Sequence, residues 1–154
     1  MTHSSEQLQS VANPVLISIH PAYATEIAAG RKRVEFRRRW PALQTALAVV
    51  YATSPVKAIV AVIEIEEVVR SSKTQLWELS KALGGGVTRQ VLFDYMDGLS
   101  SGVALKLGRR LTFESDMKLG DVFGSSIRPP QSFRYLLPKE RSALSKLMRD
   151  RRWR

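Results

Sequence analysis

At 154 residues the chain is the size of one domain, and at 44% hydrophobic and 25% charged it can bury a core, which excludes wholesale disorder. Lys and Arg number 24 against 14 Asp and Glu; the resulting +10 points to a polyanion, most commonly nucleic acid, with a merely solvated basic surface as the alternative. Cys 0 excludes disulfides, thiol catalysis and cysteine-ligated zinc, and His 2, one of them His3 in a polar leader, exclude a three-histidine metal site.

Residues 1–13 read as a flexible tail without the apolar core of a secretory signal. Residues 14–20 (PVLISIH) alternate as a short strand. Pro21 opens a helix on which Tyr23, Ile27 and Ala28 recur at helical spacing, and Gly30 ends it. Residues 33–37 (RVEFR) alternate again, with Val34 and Phe36 on one face and Glu35 and Arg37 on the other. The most strand-like runs are 46–53 (ALAVVYAT) and 57–69 (KAIVAVIEIEEVV), joined by a turn at Ser54-Pro55. The longest apolar stretch, 46–52, is far too short to span a bilayer, so a soluble cytoplasmic protein is expected. Helices are expected over 74–83 and 88–96, hinged at Gly84-Gly85-Gly86. Strands return at 102–107 and 110–113, and Leu119-Gly120 makes a turn. Residues 129–136 (PPQSFRYL) run extended, Pro138 opens a helix through Met148, and 149–154 (RDRRWR) form a basic end. Short strands and helices in this irregular order imply an α+β fold, a small mixed, mostly antiparallel β-barrel with short helices packed around it.

The densest chemical feature is 31–39, RKRVEFRRR, with six basic residues and one acid in nine positions. The interleaved Val34 and Phe36 suit a strand lining a groove, where Lys32, Arg33, Arg37, Arg38 and Arg39, with Arg134, contact phosphates and Phe36 or Trp40 stacks on a base. The alternative is a solvated edge strand with Phe36 in the core. A second constellation is Tyr51, Ser54 and Lys57 around one turn, with Ser132 from the extended segment. Phosphodiester cleavage needs a proton acceptor and a positive charge for the developing phosphorane. Without a usable histidine pair these tasks fall to Tyr51 as base and Lys57 as cation, with Ser132 holding a phosphate oxygen; packing, turning and solvation are the bland roles for the same residues. Glu64, Glu66 and Glu67 are read as ion-pair partners of the basic strand before any hard cation. No metal site is recognisable, and a divalent cation stays open as cofactor. His20 reads as a rim residue, Tyr23 and Trp77 as core, and Trp153 as either a stacking platform or part of a loose tail.

The run Ser18-Ile19-His20-Pro21-Ala22-Tyr23-Ala24, then Ile27, then Gly30-Arg31-Lys32-Arg33-Val34-Glu35-Phe36-Arg37, resembles the opening motif of the ASCH domains. The strand 61–69, the DYMDG segment at 94–98, residues 102–107 and PPQSFRY at 129–135 are similar to that family too. The resemblance implies a PUA-like barrel with a cleft and an association with RNA. It divides the chain into a tail at 1–13, an ASCH, PUA-like domain at 14–137, and a C-terminal helix and basic end at 138–154. The expected function is binding of single-stranded RNA in a basic cleft with ribonuclease activity carried by Tyr51, Lys57 and Ser132. Two alternatives stay open: a non-catalytic RNA-binding regulator, and an amidohydrolase acting on acylated cytidine, as in some family members. Those enzymes carry a G-x-K-T-x-T-x-R strand whose Lys and second Thr are catalytic. Here Lys32 and Arg37 match, but Arg33 and Glu35 stand where the two Thr would be, so the nucleophile is missing.

Overall fold

The computed structural model describes residues 13–154; the tail expected at 1–13 lies almost wholly outside them. Strand β1 (Val15–Ile19) is buried along its whole length because it pairs on both edges, parallel with β3 (Leu47–Ala52) and antiparallel with β6 (Phe133–Tyr135). Helix α1 (Pro21–Ala28) starts on Pro21, whose fixed φ suits the first turn, with His20 as N-cap: its Nδ1 accepts from the Ala22 amide at 3.2 Å. Gly30 follows at φ +81, a conformation that favours glycine, and a Cβ there would lie 2.5 Å from the Arg110 guanidinium and displace it.

Next come β2 (Val34–Arg37), β3, β4 (Ala58–Ser71), α2 (Lys73–Leu83), α3 (Arg89–Tyr95), β5 (Gly102–Met117), α4 (Leu119–Phe123), β6 and α5 (Pro138–Met148). The strands form one six-stranded sheet in the order β2-β5-β4-β3-β1-β6, antiparallel except for β1 with β3. It curls into a half-barrel. Its concave side holds Val15, Ile17, Val50, Ala61, Ile63 and Leu105 packed with Ala24 and Ile27 of α1. The convex side carries Leu16, Val49, Ile59, Val62 and Leu111, covered by Leu144, Leu147 and Met148 of α5. Burying each such side chain contributes about 1.5–3 kcal/mol. Helices α2 and α3 cover β2 through Leu76 and Leu92, with Met96 just past the end of α3.

Three local expectations change. The strands read at 102–107 and 110–113 are one strand, β5, because Gly108 serves an irregular β4–β5 register and not a turn; a Cβ on it would stand 2.8 Å from Glu66. The turn at Leu119-Gly120 is the start of α4. Glu64 and Glu67 pair with Arg109 and Lys106 of β5, at 2.8 and 3.2 Å, and not with the 31–39 run, since β5 is the hydrogen-bonded neighbour of β4 and β2 lies one strand further out. The basic end is docked as well: Arg154 and Arg110 exchange backbone hydrogen bonds at 2.8 Å each way, and Trp153 packs on the convex cluster beneath the Arg109 guanidinium.

Helix α5 is held to β6 by a two-pronged pair, Arg134 Nη1 and Nη2 donating to Glu140 Oε1 and Oε2 at 2.8 and 2.7 Å, while Oε1 also accepts from the Leu137 amide at 2.7 Å. The Arg134 hydrogen bonds hold the Glu140 carboxyl below the ordinary carboxylate range against an opposing burial effect. The unfolded chain therefore takes up this proton at higher pH than the folded one. The stabilisation is complete above the ordinary carboxylate range and is lost as pH falls through the lowered value. Glu140→Gln is expected to flatten the decline of the thermal midpoint below about pH 5; an unchanged curve would remove the pair from acid unfolding.

Candidate nucleic-acid interface and active site

The edge of β2 that is not paired with β5 faces a cleft of about 270 Å³ lined by Tyr23, Lys32, Glu35, Phe36, Arg37 and Tyr95, with His20 at its lip. Its walls are aromatic and its floor is charged. Lys32, Glu35 and Arg37 are only 2%, 7% and 8% exposed, so each must be compensated by the protein itself. Lys32 Nζ donates to the Gly85 carbonyl, lies 3.8 Å from Glu35 Oε1, and sits 5.0 Å from the Tyr23 ring and 5.5 Å from the Phe36 ring. Burial pushes the Lys32 ammonium below the usual lysine range; Glu35 opposes that shift and Arg37 adds to it. Burial likewise raises the Tyr95 hydroxyl.

The three glycines at 84–86 join α2 to α3, and Gly85 supplies the carbonyl that receives Lys32. A Cβ on Gly85 would fall 1.9 Å from Ser80 Oγ, so only glycine brings the carbonyl this close.

Arg37 spans the mouth of the half-barrel. Its Nη2 lies 3.0 Å from Glu35 Oε2 and donates to the Ser18 carbonyl at 2.9 Å, and its Nη1 donates to Ser132 Oγ at 3.1 Å. One side chain thereby ties β2, at one edge of the sheet, to β1 and the segment entering β6 at the other. Beyond it a second cavity of about 280 Å³, lined by Arg37, Arg38, Arg39, Tyr95 and Ser132, shares Arg37 and Tyr95 with the cleft and forms its vestibule. Arg38 Nη1 donates to the carbonyls of Tyr95 and Asp97 at 2.6 and 3.0 Å. Arg39 and Arg33 are exposed, and neither side chain has a hydrogen-bond or ion-pair partner among the described residues.

The basic residues singled out from sequence therefore divide. Arg33, Arg38 and Arg39 are open to solvent. Lys32 and Arg37 are buried in the ion-paired floor, and Arg134 is committed to Glu140. The expected alternation placed Glu35 and Arg37 together correctly, but every residue of β2 is buried, because α2 and α3 cover one side and the cleft encloses the other.

Tyr51 and Ser132 lie on either side of Ser18. Tyr51 is its register partner on β3, while the Ser18 amide donates to the Ser132 carbonyl at 2.9 Å and Ser18 Oγ donates to the Pro130 carbonyl at 2.6 Å. Tyr51 is 7% exposed, packs in the convex cluster, and its hydroxyl makes no hydrogen bond among the described residues. Lys57 is exposed in the β3–β4 connection at φ +53, two residues before Ile59, which opposes Tyr51. Ser132 lines the vestibule, whereas neither Tyr51 nor Lys57 lines the vestibule or the cleft. Tyr23, read as a core residue, lines the cleft; Tyr95 joins it from the DYMDG segment, and Gly85 of the glycine hinge contributes its carbonyl to the floor, though neither residue is singled out for the site from sequence. Among the described residues no group of three His, Cys, Asp or Glu could hold a metal ion, and no helix is long and apolar enough to cross a membrane.

A protein of Zymomonas mobilis described as an ASCH domain-containing ribonuclease is 28% identical over 134 residues, covering 86% of this chain and 90% of its own. The crystal structure of ASCH from Zymomonas mobilis superposes with a TM-score of 0.76 at 28% identity, over 88% of this chain and 95% of that one. That protein has also been crystallised as a tyrosine-to-phenylalanine and as a serine-to-alanine variant. The N-terminal domain of Staphylothermus marinus McrB, 10% identical with a TM-score of 0.52 over 95% of this chain and 98% of that one, shares the fold alone. The cleft and its charged floor are built largely from residues 17–101, the span that matches the ASCH domain, and with more than half of its length so matched the chain belongs to the ASCH domain family.

Proposed function

We propose that this protein, as a PUA-like ASCH domain of the cytoplasm, binds single-stranded RNA across its vestibule and cleaves the phosphodiester backbone where the strand runs on from Ser132 past Ser18 toward Tyr51 and Lys57. The observation that carries this reading is the vestibule itself: the exposed Arg38 and Arg39 line it together with the Ser132 hydroxyl, which accepts from the buried Arg37 at the mouth of the cleft. Arg33, Arg38 and Arg39 provide charge for phosphates, and a base leaving the strand finds aromatic walls in the cleft. Tyr51, acting through its deprotonated oxygen, takes the proton from the 2′-hydroxyl as that oxygen bonds to phosphorus, Lys57 balances the charge that develops on the phosphorane, Ser132 donates to a non-bridging oxygen, and the bond from phosphorus to the 5′-oxygen breaks as that oxygen takes a proton from water. The Tyr51 oxygen has no hydrogen-bond partner and Lys57 no ion pair among the described residues, so neither group is committed elsewhere. The ribonuclease relative supports the reaction class, and the replaced tyrosine and serine of the Zymomonas protein are the residue types that flank Ser18 here.

The deciding experiment incubates the purified protein with end-labelled single-stranded RNA, with and without a chelator, beside a sample of acylated cytidine. Fragments are expected from the RNA. The acylated nucleoside should stay intact, because the position of the family's catalytic hydroxyl holds Glu35, which is engaged with Lys32 and Arg37. RNA that is bound but left whole would make the protein a binding module.

Binding itself is tested through salt. The logarithm of affinity should fall with the logarithm of salt concentration by about 0.7 for each phosphate neutralised on a single strand. Arg39→Ala is expected to reduce that slope by about one such step, while Arg134→Ala, whose guanidinium already serves Glu140, should leave it unchanged. The reverse pattern would move the interface to the β6 side.

A further inference from the structure

Three charged groups lie buried in a row beneath the cleft, and the cleavage chemistry above uses none of them directly. Arg37 is the node of that row. Its Nη2 is held by Glu35 Oε2 and the Ser18 carbonyl at 3.0 and 2.9 Å, and Glu35 is flanked in turn by Lys32, itself fixed on the Gly85 carbonyl. The remaining arm, Nη1, reaches Ser132 Oγ at 3.1 Å. A guanidinium has donors and no acceptor, so in this bond the serine oxygen accepts. The hydroxyl's single O–H is then left for a different acceptor, and Ser132 is exposed on the vestibule, where a phosphate would arrive.

We propose that Arg37 is a positioning residue for RNA cleavage, acting through Ser132: it pins Ser132 Oγ and leaves the O–H turned toward the reacting phosphate. The proposal rests on the reading that Ser132 touches that phosphate. Glu35 acquires a task at the position where other family members carry a hydroxyl, since it fixes the plane of the Arg37 guanidinium. Lysine cannot substitute, because one ammonium nitrogen cannot reach three partners that a planar fork spans. A guanidinium that only closed the seam of the half-barrel would have the same contacts, so the two roles must be separated by kinetics.

The separation is a double-mutant cycle on single-stranded RNA cleavage with Arg37→Lys, Ser132→Ala and both together, each checked for its thermal midpoint. Arg37→Lys is expected to lower kcat about 10-fold with KM changed less than about 3-fold, and to cost nothing further in the Ser132→Ala background. Losses that multiply in the double variant would overturn the positioning role while leaving Ser132 in the reaction. A Ser132→Ala variant that cuts at the parental rate would instead remove the serine from the site, and the positioning role with it. If Arg37→Lys does not fold, Glu35→Gln replaces it in the same cycle, since the amide keeps the side chain's shape but loosens its hold on Arg37. The same two patterns, additive or not, then decide.

Discussion

Tyr51→Phe is expected to cut RNA about 100-fold more slowly, or worse, while binding RNA as the parent does and melting at the same temperature. The substitution keeps the ring that fills the convex cluster beside Val49 and Ile59 and removes one oxygen. Because that oxygen has no hydrogen-bond partner among the described residues, its loss breaks no bond and exposes no orphaned donor or acceptor. Stability should therefore be neutral, which makes any rate loss attributable to chemistry. Lys57→Ala should weaken binding and rate together, since one cation serves both the bound and the reacting phosphate. A parental rate in folded Tyr51→Phe would place the proton acceptor elsewhere, and the charged floor of the cleft would be the next place to look.

Glu35→Ala should have the largest effect on stability of any charge truncation near the site, a loss of about 3–5 kcal/mol, because the pair it breaks is buried. Its carboxylate stands between two cations whose side chains are 1% and 10% exposed, so truncation leaves both without their counter-charge where water cannot replace it. In a chain of this size that corresponds to a fall of about 10 °C or more in the thermal midpoint. Adding Lys32→Met to Glu35→Ala should recover part of the loss, because one stranded cation is replaced by an apolar chain of similar length that fits between the Tyr23 and Phe36 rings. A loss below about 1 kcal/mol would mean that water reaches the pair and that the cleft floor is wetter than its burial implies.

Local chemistry determined much of this protein without help from the fold. Pro21 and Gly30 set the limits of α1, Pro138 set the start of α5, and the apolar runs at 46–53 and 57–69 became β3 and β4, because caps, fixed φ angles and side-chain alternation act within a few residues. The opening motif likewise carried the family, and the alternation of RVEFR placed Glu35 beside Arg37. What the tertiary structure alone decided is which charges are free. Lys32 and Arg39 belong to one basic run, yet the first is sealed under Gly85, 53 positions away in the chain, and the second stands open to solvent. Glu64 and Glu67 found β5 and not the basic strand because sheet order, set by long-range pairing, chose their neighbours. Tyr51 and Ser132 flank Ser18 for the same reason: the parallel pairing of β1 with β3 and the return of the chain into β6 set on either side of one residue two groups that no local pattern connects.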